Sequence, residues 1–477
     1  MKASRRLVLG AALAAPTLVG DQGARAQDKP MLEDLAHRAA IYLFPVYEMY
    51  RTRWNATVDE KNPARQKLNR FLHVPTLATY RSRAVTMPNA DTLDSSAWLD
   101  LSVEPVFLTV PDMGGRYYSF ALMSLFTDNF ACISRRLDGN RPRPRMIVGP
   151  GWKGAADRDV ELVRAPTNSV WLLGRILVDG PPDQESVWTL QSRTLLESPD
   201  MRNERRILET QELMRQRNTP PPEPVADWSP INPADPFDLF EVGMRAMGES
   251  PLTERDKTVL EDFVPLRLRP GRKYDLRAFS EAERGAIARG IARARDEIRK
   301  ADSFGKPGGF GTTVNGWRFP QRDLGNFGDD YLYRAAVALT ALAALEVAEA
   351  TYLICSSDAE GRPLDGSRHY MLRFPAGQLP PAKAFWSLSM YELTPEGRAF
   401  FTDNPLSRYA IGDRTRGLTH GADGSLDILI QHDRPEEGRE ANWLPAPAGQ
   451  MRLVLRAYEP DEALLDGSYR IPPVMQL

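Results

Sequence analysis

Ser96-Ala97-Trp98-Leu99-Asp100-Leu101-Ser102-Val103, then Val106-Phe107-Leu108-Thr109-Val110, then Arg116-Tyr117-Tyr118-Ser119-Phe120-Ala121-Leu122-Met123-Ser124: these three runs decide the fold class. Each is short and rich in aromatic and apolar residues. Glu104-Pro105 and Asp112-Met113-Gly114-Gly115 cut them apart, and such residues end strands because Pro lacks a backbone donor and Gly tolerates turn angles. Phe130–Arg135, Arg145–Val148, Val160–Arg164 and Val170–Val178 continue the series, with Asp138-Gly139-Asn140 as a further turn. Many short strands at this spacing predict an antiparallel sandwich.

Outward from that region the pattern becomes helical on both sides. Met31–Arg53 places Leu35, Ala39, Tyr42, Val46 and Met49 on one face, and Pro45 is expected to kink or divide the helix. Ser186–Arg217 reads as a charged helical stretch, ended by the stiff Thr219-Pro220-Pro221-Pro222-Glu223-Pro224 break. Helices are expected near Asp235–Met247 and Thr253–Phe263. A third, Glu281 to Lys300, has a Ser280/Glu283 capping box and an Ile287, Ile291, Ala294, Ile298 stripe. A glycine-rich loop, Gly305–Gly316, follows.

After a helix over Tyr331–Ala350 the chain returns to strands. These are Thr351–Cys355, His369–Phe374, Ala384–Glu392, Arg408–Ile411, Leu426–Gln431 and Met451–Tyr458. The expectation is an α+β chain of two antiparallel β-sandwich domains joined by a helical region, over 27–185, 186–330 and 331–477.

Residues 1–26 read as a leader. A basic start with Arg5-Arg6 precedes an apolar run, Leu7–Val19, and the segment closes on Ala24-Arg25-Ala26. That run is shorter than the about 20 residues a bilayer span needs. Ser4-Arg5-Arg6-Leu7-Val8-Leu9 resembles a twin-arginine export signal, so a periplasmic or secreted protein is expected.

Composition narrows the remaining classes. The 61 basic and 63 acidic residues leave no basic excess, which argues against nucleic acid as a partner. No integral membrane segment is expected after the leader: Tyr331–Ile354, the most apolar stretch, carries Arg334, Glu346 and Glu349. Cys132 and Cys355 read as buried free thiols. None of the five histidines pairs at ligand spacing, which argues against a zinc centre. Neither a Gly-x-Ser-x-Gly elbow nor a phosphate-loop spacing is present, so no nucleotide cofactor is expected.

Several longer motifs carry a resemblance. Asn89-Ala90-Asp91-Thr92-Leu93, Val110-Pro111-Asp112, Gly115-Arg116-Tyr117-Tyr118-Ser119, Val148-Gly149-Pro150-Gly151-Trp152 and Val170-Trp171-Leu172-Leu173-Gly174-Arg175 resemble the domain of unknown function 1254. Pro380-Pro381-Ala382-Lys383-Ala384-Phe385-Trp386-Ser387, Asn404-Pro405-Leu406-Ser407-Arg408-Tyr409, Asp423-Gly424-Ser425 and Asn442-Trp443-Leu444-Pro445-Ala446-Pro447 look like its companion, the domain of unknown function 1214. The resemblance implies a sandwich at each end, the C-terminal one jelly-roll-like, and implies no established reaction. The related motif reads more like Asn-Asn-Asp-Thr-Leu-Tyr-Ser, so Ala90 and Asp94 are departures that point to altered substrate or chemistry.

For chemistry, Asp91 is the candidate base or acid, with Asp94 as a second carboxylate and Asn89 and Thr92 beside it as ligand contacts. The competing reading is that Asn and Asp here only cap a turn. Tyr118 is the candidate proton donor or orienting hydroxyl, and Arg175 the anion holder or a structural ion-pair member. Asn129, at the end of Thr127-Asp128-Asn129, is expected to bring polar groups to the same rim. In the C-terminal third, Trp386, Tyr391, Arg408, Tyr409, Asn442 and Trp443 combine stacking area with directional donors, as a sugar or anion pocket does; core packing explains the tryptophans equally well. The expected function is an exported, cofactor-independent hydrolase or other acid/base enzyme acting on a small organic substrate. Its rivals are a non-catalytic carbohydrate- or small-ligand-binding protein and an envelope scaffold.

Overall fold

The computed structural model describes residues 31–83, 86–156, 158–211, 235–301, 311–395 and 397–477. The leader, the Thr219–Pro224 break and the first half of the Gly305–Gly316 loop lie outside them. The chain is α+β, with helices set against antiparallel sheets. Thr92–Asp100 pairs with Leu72–His73 on one side and Ser169–Leu177 on the other; Tyr118–Ser124 and Asn129–Ser134 complete a five-stranded antiparallel sheet. A four-stranded sheet runs Glu161–Arg164, Arg145–Val148, Val106–Thr109, Leu195–Glu197, with its first pair parallel.

Strand alternation sorts the five-stranded sheet into two faces. Leu93, Ala97, Leu99, Tyr118, Phe120, Leu122 and Leu172 are buried against Val106, Leu108 and Ile147 of the four-stranded sheet. On the other face, Trp98, Met123 and Leu173 pack under the helices. Asp94, Ser119 and Arg175 share that second face, because they are register partners across three strands.

The helical layer is built on Leu32–Thr57, which packs against Asp238–Met247, Glu281–Lys300 and Tyr331–Thr340. Of the two outcomes expected at Pro45, division does not occur: the helix is continuous through it. Every residue from Ala39 to Tyr50 is buried, so packing on both flanks outweighs the one backbone bond that proline removes. Glu281–Lys300 has its capping box, and all four residues of its apolar stripe are buried. Two helical expectations are corrected. Leu195–Glu197 joins the four-stranded sheet and so separates Gln184–Arg193 from Pro199–Gln211. The Tyr331 helix ends at Thr340, ahead of Ala343 with its positive φ of 72°, and Ala350 already belongs to a strand.

The C-terminal third forms a seven-stranded sheet. Ala350–Cys355, Met451–Pro460 and Ala382–Leu393 lie side by side at its centre, with Ala410–Gly412 on the edge of the last. A four-stranded sheet of Trp443–Pro445, Leu426–Gln431, Tyr370–Phe374 and Met475–Gln476 covers one face. The buried layer between them contains Leu353, Leu388, Leu453 and Leu455 from one side and Leu372, Phe374, Ile428 and Ile430 from the other. Both cysteines are free, Cys355 in this core.

The other face of the seven-stranded sheet meets the five-stranded one. Phe385 stacks on Tyr458 with centroids 4.1 Å apart, and Tyr117 packs edge-on to both rings. Leu32–Leu477 forms a single compact unit around these contacts.

Candidate functional site

Strand periodicity determines what each sheet offers at this junction. In Ala382–Leu393, Trp386, Leu388 and Met390 enter the C-terminal core, so Phe385, Ser387, Ser389 and Tyr391 face the N-terminal half. In Met451–Pro460 the same rule turns Val454, Arg456 and Tyr458 toward it. Ser387, Arg456 and Tyr352 are register partners across three strands. The row Asp94, Arg175, Ser119 of the five-stranded sheet lies on its face toward this junction.

The turn before Thr92 is bound to the C-terminal sheet along its length. Met87 N–H donates to Ala399 O at 2.8 Å, Arg456 Nη2 donates to Met87 O at 3.1 Å, and Tyr391 OH donates to Pro88 O at 2.7 Å. Asn89 caps the turn by accepting Asp91 N–H at 2.7 Å, and its Nδ2 reaches Thr92 Oγ1 at 2.9 Å and Tyr458 OH at 3.1 Å. Asn89 thus does the turn-forming work weighed above. The Asp91 carboxylate does something else: its Oδ2 accepts the Ser387 hydroxyl at 2.7 Å, across the junction.

Electrostatics follow from enclosure. Burial raises the Asp91 pKa, against the opposing pull of Arg456 and the Ser387 hydrogen bond. Asp94 is likewise raised by burial and held back by Arg175, its cross-strand neighbour; Thr92 Oγ1 donates to it at 3.3 Å. Arg456 donates to Ser389 Oγ at 3.0 Å and to Tyr391 OH at 2.7 Å, and is 4% exposed. Arg175 donates to Ala343 O at 3.3 Å, while its buried Nη1 has no hydrogen-bond partner among the described residues. Two carboxyls and two guanidiniums therefore share one enclosed polar layer with the Tyr117, Tyr352, Tyr391 and Tyr458 rings.

Asp91 also borders a cleft of about 690 Å³ between the halves. Leu77, Tyr80, Val178, Phe385 and Tyr409 contribute its apolar wall, and Arg81, Arg408, Arg414 and Arg416 its charged part. On the same side Asp413 Oδ1 accepts Trp386 N–H at 3.2 Å, one residue from Ser387. Partial desolvation of its carboxyl pushes the pKa of Asp413, an otherwise exposed residue, up to about 6, and the nearby Asp91 charge adds to the rise. A second groove, of about 920 Å³, shares Leu177, Asp179, Pro182, Arg414 and Arg416 with the first.

The sequence candidates divide accordingly. Asn89, Asp91, Thr92 and Arg175 converge on the polar layer. Tyr118 does not: it points into the core between the two N-terminal sheets, and its OH donates to Gly139 O at 2.8 Å. Its neighbour Tyr117 takes the junction side. Asn129 is committed elsewhere, donating to Ala344 O at 2.9 Å beside an Asp128–Arg334 ion pair of 2.9 Å. Arg408 and Tyr409 border the cleft. Trp386 borders it as well, with its ring packed on Phe374 at 5.5 Å. Asn442 and Trp443 serve the C-terminal fold: Asn442 bridges Thr419 and Asp427, and Trp443 Nε1 donates to Gln431 O. Ser387, Arg456, Tyr458 and Asp413 were missed. Arg456 carried the signal that singled out Arg175, a charge that follows an apolar run, here Leu453-Val454-Leu455; Asp413 carried none.

The chain matches the family Protein of unknown function (DUF1254) over residues 68–198 and Protein of unknown function (DUF1214) over 349–462. It belongs to the tandem DUF1254–DUF1214 proteins. In this DUF1254–DUF1214 protein the Asp91 turn is given by the first domain, and Ser387, Arg456 and Tyr458 by the second. The crystal structure of the VPA0106 protein from Vibrio parahaemolyticus is similar over 94% of this chain and 100% of its own, at 24% identity and a TM-score of 0.68, and so shares the fold. That of an uncharacterized protein from Burkholderia cenocepacia covers 92% of this chain and 87% of its own, at 12% identity and a TM-score of 0.41. No curated protein matches the chain.

Proposed function

We propose that this protein is an exported, cofactor-independent acid/base enzyme, a hydrolase in the first instance, that works on a small organic substrate in the Asp91 cleft. The observation that carries the reading is a single one. A carboxyl whose pKa is raised by burial borders a cleft of about 690 Å³ and is aimed by a hydroxyl from the opposite domain, Ser387. A carboxyl raised toward neutrality is suited to give and take a proton near the working pH. Asp91 acts as the acid or base, and Ser387 orients it. Arg456 stabilises its charged form from behind, and Arg175 with Asp94 supplies balancing charge in the next layer.

With this function we propose an architecture of two sandwiches, the C-terminal one jelly-roll-like, over 27–185 and 331–477, with helices between. Export rests on the Arg5-Arg6 leader. The aromatic wall of Tyr80, Phe385 and Tyr409 also favours a second reading, a non-catalytic binder of a small ligand or carbohydrate. A screen of esters, ethers, amides and glycosides with wild type and Asp91→Asn separates the two. Turnover lost in a folded Asp91→Asn supports the enzyme. Ligand-dependent thermal shifts without turnover in the wild type overturn it in favour of the binder.

A further inference from the structure

The charge on the cleft is unbalanced in a way the acid/base reading does not use. Arg414 is neutralised by Asp179 at 2.9 Å, and Arg116 and Arg135 in the adjoining groove by Asp183 and Glu459. Arg81, Arg408 and Arg416, all lining the Asp91 cleft, form no ion pair with a carboxylate among the described residues, although the Asp403 charge acts on Arg81 from a distance. Arg81 lies over the Tyr80 ring at 5.3 Å, and its Nε donates to Tyr80 OH at 3.1 Å. Arg408 spends Nη1 on three carbonyls, those of Glu440, Ala441 and Trp443, and burial lowers its pKa, as expected of a cation short of a counter-charge. Three guanidiniums thus lie beside an apolar wall of Leu77, Val178, Phe385 and Tyr409.

We infer that the ligand of this cleft is an amphipathic organic anion: an apolar or aromatic body carrying a carboxylate, sulfate or sulfonate. Guanidinium forks match planar or tetrahedral oxyanions, and a low-dielectric wall strengthens their pull. The apolar body lies on Phe385 and Tyr409, and the anionic group is held by Arg81, Arg408 and Arg416. This names the substrate class of the site proposed above and rests on that cleft being the site.

Two fluorescent probes of like body test it on the full chain: anilinonaphthalene sulfonate, and phenylnaphthylamine, which lacks the sulfonate. The sulfonate binds at least about tenfold tighter, which is ~1.4 kcal/mol, and its affinity falls with added salt while that of the neutral probe does not. Arg81→Ala with Arg416→Ala, both exposed and so tolerated by the fold, removes the preference; Arg81→Lys with Arg416→Lys keeps part of it. Equal affinity for the two probes, or a preference unchanged in the double alanine variant, overturns the inference. The ester, ether, amide and glycoside screen separates this result from the enzyme reading, because it reads turnover and not probe affinity: a sulfonate preference with no turnover leaves this inference standing, and turnover with no preference overturns it.

Discussion

At the scale of single residues, the junction depends on charges that are enclosed and balanced. Arg456 holds Ser389, Tyr391 and the Met87 carbonyl, and its charge faces Asp91. Removing one member of a buried charge set leaves the rest uncompensated, so Arg456→Met is expected to cost about 3–5 kcal/mol. Chemical denaturation measures this; a loss no larger than that of a surface arginine contradicts it. Asp413 makes the pH behaviour specific. Its folded pKa of about 6 exceeds the ordinary unfolded value of ~3.9, so between those values the native state holds more protons than the unfolded one. Its contribution to stability therefore falls as pH rises through that window. Asp413→Asn should flatten this part of the profile, gaining on wild type in urea midpoint between roughly pH 4 and pH 6. An unchanged profile contradicts the raised value.

At the scale of elements, the Glu281–Lys300 helix shows where local rules end. Its capping box and stripe were legible because they depend on three- and four-residue spacing alone. The glycine at 290 was not: on propensity, Gly290→Ala should stabilise a helix by about 0.8–1.0 kcal/mol. Here a Cβ would stand 2.3 Å from the Glu33 carbonyl of the neighbouring Leu32–Thr57 helix. Gly290→Ala is therefore expected to destabilise by about 1–3 kcal/mol, and a rise in melting temperature contradicts the close approach. The same division explains the errors. Pro45 was expected to kink or divide a helix that packing on both flanks keeps undivided, and the helix stop at Thr340 depends on the backbone around Ala343. Alternation fixed that Tyr117 and Tyr118 face opposite ways; which side met the second domain was set by tertiary contacts that no spacing reveals.

At the scale of the whole molecule, the candidate site exists because two sheets far apart in sequence meet. Asp91 is marked by its polar company near a strand, yet its enclosure comes from Ser387, Arg456 and Tyr458, in the other domain and far along the chain. Residues of that kind announce themselves locally as strand formers, so their polar face stays hidden until the sheets are brought together. The central claim is that this meeting holds the Asp91 carboxyl protonated above the ordinary range. Carbon NMR of the Asp91 carboxyl through a pH titration, assigned by its loss in Asp91→Asn, tests it most directly. A midpoint clearly above the usual ~3.9 for aspartate is expected; a midpoint at or below that value contradicts the raised pKa.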